Sequence, residues 1–160
     1  MTIRRLLSLP VLAGLTATIA VPAAAEDASV ERRLDREGLK YEVDADGDYK
    51  LTFNYAKEGR SQLVFVSGTT QTVSGLTIRE VFSPAGRVEK DGIGGKAALE
   101  LLSASGQLKL GSWEIRGDVL YFVIKVLDSA TSSELSSMLD IVAETADDKE
   151  IELSGDRDDL

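Results

Sequence analysis

The chain predicts an α+β domain, an antiparallel sheet with helices packed on it, in the order α-βββ-α-ββ-α. Three observations point there. Through much of the chain apolar residues alternate with polar ones, and glycine-containing turns separate the runs. A late stretch switches to helical spacing behind a capping box. No repeat, low-complexity linker or composition shift divides what lies between, so one domain is expected.

Ser29 precedes a short helical stretch, Val30 to Glu37, with Val30 and Leu34 at i, i+4 and Gly38 as its stop. The period then becomes two. Tyr41, Val43 and Ala45 form one run, and Tyr49, Leu51, Phe53 and Tyr55 form the next. Asp46-Gly47 between them is a strong hairpin signal. Lys57-Glu58-Gly59 turns the chain into Leu63 to Val66, and the segments Thr69 to Ser74 and Leu76 to Ser83 are β-branched enough to extend the sheet.

Asp91 to Gly95 breaks the pattern, and Lys96 to Ser105 follows as a helix stopped by Gly106. Two strands come next, Leu108 to Arg116 and Val119 to Leu127, joined by a Gly117-Asp118 turn. The second is nearly all apolar, the pattern of a strand covered on both faces. Thr131-Ser132-Ser133-Glu134 is a capping box. Behind it Leu135, Met138, Leu139, Val142, Ala143 and Ala146 form one apolar helical stripe.

The composition narrows the chemistry. The chain has 160 residues, 27 acidic against 18 basic, and neither cysteine nor histidine. That excludes disulfides, Cys or His zinc sites, thiol nucleophiles and a Ser-His-Asp relay. At 43% hydrophobic residues the chain is too apolar to stay unfolded. A net charge of −9 has the wrong sign for nucleic acid, since phosphate contacts come from Lys and Arg.

Residues 1–25 read as a signal peptide. Arg4 and Arg5 precede an uncharged run from Leu6 to Val21, and Ala23 and Ala25 stand where a signal peptidase needs small residues. The run is shorter than the ~20 residues of a membrane-spanning helix, and Pro10 interrupts it. Cleavage between Ala25 and Glu26 leaves a single domain, 26–160, with an acidic C-terminal tail and no stable membrane anchor. The expected location is periplasmic or secreted.

Catalytic and metal signatures are weak. Asp44, Asp46 and Asp48 alternate around Gly47, but the positions an EF-hand loop gives to Gly and Glu hold Tyr49 and Tyr55. They read as a solvated turn, so neither metal nor cofactor is expected. Gly92-Ile93-Gly94-Gly95-Lys96-Ala97 lacks the apolar strand that a dinucleotide fingerprint requires before it. G-x-S-x-G and S-x-x-K are both absent. From Glu144 to Asp159 eight acids face only Lys149 and Arg157, the composition of a solvated tail or a weak cation site.

Several segments together resemble the YbjN family of sensory-transduction regulators. They are Leu34 with Gly38-Leu39-Lys40-Tyr41, Gly59 to Val66, Ala98 to Leu102, Leu110 to Ile115, Val142 to Asp147 with Glu150, and Ser154-Gly155-Asp156. The resemblance implies a fold like that of type III secretion chaperones and a binding module rather than an enzyme. The partner it implies is another polypeptide or a second copy of the chain. Trp113 and Ile115 share one side of a strand and are candidate partner anchors. Two other classes remain open from the residues: a small hydrolase using paired carboxylates, and an acidic divalent-cation-binding protein.

N-terminal sequencing of exported protein should begin at Glu26. Retention of Met1 would replace the cleaved segment with an anchor.

Overall fold

The computed structural model describes residues 28–155. The expected signal peptide, its Ala25/Glu26 junction and residues 156–160 of the acidic tail lie outside the described residues. Helix α1 (Ala28–Arg36) leads into five strands: β1 (Glu42–Val43), β2 (Tyr49–Tyr55), β3 (Arg60–Val66), β4 (Gln71–Val73) and β5 (Leu76–Arg87). Helix α2 (Lys96–Ser105), strands β6 (Ser112–Arg116) and β7 (Val119–Leu127), and helix α3 (Ser132–Ser154) complete the fold. The sheet is antiparallel, in the order β1-β2-β3-β5-β7-β6, with β4 paired to β5 beside that path. The first block of the expected order is thus five strands, because the two segments expected to extend the sheet are the hairpin β4–β5.

Helix α3 lies across β3, β5 and β7, and α1 packs on α3. One register row of the sheet faces it: Leu51, Val64, Val81, Leu120, Phe122 and Ile124 are buried with Leu135, Leu139, Val142 and Ala143 of the helix. Burying a Leu or Val side chain of this kind contributes about 1.5–3 kcal/mol, so the stripe holds the two layers together. Thr131 caps α3 as expected: its hydroxyl accepts from Glu134 N, and the Glu134 carboxylate accepts from Thr131 N.

The expectation that β7 is covered on both faces is corrected. Leu120, Phe122, Ile124 and Val126 are buried beneath the helix, but Lys125 and Leu127 of the alternate row are exposed. On this outer face the side chains shield one another. Phe65 stacks on Phe82 at 5.2 Å between centroids, and Phe82 meets Tyr121 edge-on at 5.8 Å. The Arg116 guanidinium sits 5.4 Å from the Phe82 centroid and binds Glu80 at 2.9 Å and Glu114 at 2.8 Å.

The acidic region is also corrected in part, since α3 continues through residues 144–154. Asp147 and Glu150 are buried there and meet the buried Arg60, whose Nε donates to Asp147 Oδ1 at 3.0 Å and Nη2 to Glu150 Oε2 at 3.1 Å. Beside them, burial and the negative charge of Asp147 and Glu144 push the Tyr55 phenol up to about 12, so it stays protonated.

Strands β3 and β5 pair at only two positions, Phe65 with Phe82 and Val66 with Val81. Pro84 has no N–H with which to continue the ladder. The buried Gln62 side chain bridges the gap instead, donating to Ser83 Oγ and Pro84 O at 2.7 Å each.

Replacing Arg60 by Ala should cost about 3–5 kcal/mol, because it leaves two carboxylates buried without their cation. Urea unfolding measures this. A triple replacement of Arg60, Asp147 and Glu150 by Met, Leu and Leu should recover most of the loss.

Candidate functional site

Strand β7 outruns its neighbour. Strand β6 pairs with Val119 to Val123, whereas β5 pairs with β7 from Val119 through Leu127. The edge of residues 124–127 on the β6 side therefore has no strand partner among the described residues. The cause is local. Gly111 adopts φ +78°, outside the β region, and bends the chain away just before Ser112. The backbone there also passes so near Phe122 that a Cβ at 111 would lie 2.5 Å from the ring. Sequence reading began this strand at Leu108, and the structure begins it at Ser112.

The bare edge borders a cavity of about 460 Å³ between β7 and the start of α3. Its wall includes Leu110, Val126, Leu127, Ala130, Met138 and Glu134. Leu110 and Leu127 are each about half exposed. Upstream, α2 buries none of its residues, and Leu99 and Leu102 are two-thirds exposed. Exposed apolar side chains thus run along the sequence from α2 into the cavity wall, the kind of surface that marks a contact site.

Lys125 is both a wall residue of this cavity and part of the outer-face charge layer. Its ammonium pairs with Glu114, and with Glu80 at 3.8 Å. Burial works against ionisation of Glu114, but the hydrogen bonds and charges of Lys125 and Arg116 outweigh it and hold its carboxyl below the ordinary 4.5.

The candidate anchors Trp113 and Ile115 stand on the helix-facing side of β6, in register with Phe122 and Leu120. Trp113 is half-buried, 5.0 Å from the Phe122 ring, with the Lys149 ammonium 5.8 Å from its own centroid. Ile115 is 47% exposed. Neither lines the cavity at the β7 edge. That edge escaped sequence reading because its signal is one glycine in a Leu-Gly-Ser stretch, and a close approach to Phe122 exists only in the fold.

The carboxylates considered for metal or acid–base chemistry are engaged otherwise. Asp44 Oδ1 accepts from the N–H groups of Asp46 and Asp48, and Asp48 Oδ1 accepts from Gly68 N. Burial, more than its neighbours Asp44 and Asp46, raises the Asp48 carboxyl above its usual range, against the pull of the Gly68 bond. Among the described residues no three carboxylates gather as a metal site. The buried pair Asp147 and Glu150 is bound to Arg60.

No protein-family model matches the chain, and no curated protein matches it. Among solved structures the chain is similar to the Yersinia pestis type III secretion chaperone SycH, seen in complex with a stable fragment of YscM2. The TM-score is 0.50 at 15% identity, covering 79% of this chain and 98% of that one. A likeness at this identity shows the fold, which is α+β and secretion-chaperone-like.

NMR titration should place the Glu114 midpoint below 4.5. Its two cations then stabilise the fold fully above that value, and the contribution is lost as pH falls through the lower folded midpoint. Lys125→Met and Arg116→Met should each raise the midpoint.

Proposed function

We propose that the chain is a non-catalytic polypeptide-binding module of the exported space, periplasmic or secreted, acting as a chaperone-like or regulatory adaptor. The observation that carries this reading is the bare edge of β7 at residues 124–127 above an apolar cavity. An extended segment can add to such an edge through main-chain hydrogen bonds while alternate side chains enter a pocket beside it. On the helix side that pocket offers Leu110, Val126 and Met138; on the outer side the segment would pass Lys125 and Leu127. The chaperone fold supports this reading, as does the complex in which SycH is seen with another polypeptide.

The YbjN resemblance supports the same class. The amino-terminal segment supports export, which separates this chain from a chaperone confined to the cytoplasm. The partner is a client polypeptide or a second copy of the chain. Trp113 and Ile115 form a secondary contact on the same side of the sheet, with Ile115 the exposed member.

A photo-crosslinking residue at Leu110 or Leu127 should couple to one discrete polypeptide in the exported fraction, and one at Glu58, in the turn between β2 and β3, should not. Leu110→Asp should abolish that product with the melting temperature unchanged. Equal labelling at all three positions would defeat the reading.

A further inference from the structure

Far from this edge in sequence, the start of α3 forms a second cavity with α1, of about 340 Å³. Its wall carries three arginines, Arg32, Arg33 and Arg36, against one carboxylate, Asp128. That carboxylate is neutralised already: Asp128 Oδ1 accepts from Arg79 Nε at 2.7 Å and from Arg33 Nη2 at 3.1 Å. Arg33 is consumed by the same cluster, with further bonds to the Ser29, Asp128 and Ala130 carbonyls. Arg32 and Arg36 are exposed, one helical turn apart, and have no acidic partner among the described residues. In a chain of net charge −9 that concentration of cations is locally reversed.

The third side of the cavity is the N-terminus of a 23-residue helix, where backbone N–H groups and the helix dipole favour negative charge. The capping box satisfies Glu134 N and leaves the first-turn N–H groups of Ser132 and Ser133 without an intrahelical acceptor. The Ser132 side chain supplies the independent sign of a ligand. Ser132 is 6% exposed, belongs to the cavity wall, and its Oγ has no hydrogen-bond partner among the described residues. An unpaired buried hydroxyl costs stability unless something binds it.

We propose that this cavity binds a phosphate-type oxyanion, held by the Arg32 and Arg36 guanidinium groups, the Ser132 hydroxyl and the opening N–H groups of α3. Guanidinium forks match such an ion bidentately. The site is independent of the β7 edge, so it stands or falls without the polypeptide-binding reading.

The test uses the folded protein with inorganic phosphate, and O-phosphoserine in a parallel arm, at ionic strength matched with sodium chloride. Phosphate should raise the melting temperature and titrate calorimetrically to one site. The arm that binds more tightly separates a free ion from an esterified phosphate group. Arg32→Ala with Arg36→Ala should weaken binding at least about tenfold, the loss expected for charged hydrogen bonds. Ser132→Ala is the sharper probe. It removes an unpaired buried hydroxyl, so the variant should melt no lower than wild type without phosphate while losing affinity for it. A phosphate response no larger than that of chloride, or a Ser132→Ala protein that melts lower yet binds phosphate equally, would overturn the proposal.

Discussion

Helix α3 is the constraint on which the rest of the structure depends, and a single sheet residue fixes its far half. The apolar stripe from Leu135 to Ala146 places the helix on the sheet, but hydrophobic burial is non-directional and allows a packed helix to slide or rotate. Arg60 removes that freedom. Its fork meets Asp147 and Glu150, one helical turn apart, with all three side chains shielded from water. At the other end the Asp128 cluster ties α1 and β5 to the turn that launches the helix. Directional ion pairs stand at both ends of an undirected apolar contact.

With every helix on one side, the sheet needs another solution for its remaining face. That solution is a layer of rings and alternating charges, in which Arg116 covers aromatic surface while its guanidinium remains paired to Glu80 and Glu114. Such a layer protects apolar strands without a second helical layer. It also leaves the strand edges, rather than the faces, as the places where another chain can extend the architecture.

The helices and most strands were legible because their signals are local. Thr131 to Glu134 announces α3, Lys96 to Gly106 delimits α2, and the alternation from Tyr49 to Tyr55 delimits β2. The apolar run of β7 was misread as doubly covered, since a sequence cannot distinguish burial under a helix from burial under neighbouring rings such as Phe82 and Tyr121. The acidic region was misread for a related reason. Asp147 and Glu150 look like solvated charges until Arg60, 87 residues before Asp147, is brought beside them. The bare β7 edge depends on one backbone angle at Gly111, and the arginine cavity depends on α1 meeting the start of α3; neither is a local property. Trp113 and Ile115 were chosen for sharing a strand side, which they do, but side-sharing does not determine exposure.

The two-pair junction between β3 and β5 makes the sheet two ladders rather than one. β1, β2 and β3 form the first, and β4, β5, β7 and β6 the second. Backbone hydrogen bonding scarcely crosses between them, so cooperativity must be transmitted by the Gln62 side chain and by the helix lying over both. Helix α3 acts as a splint across a seam. The Arg60 ion pairs fasten it to the first ladder and the Asp128 cluster to the second, so force applied to either end of the domain is shared through the helix instead of unzipping the sheet strand by strand.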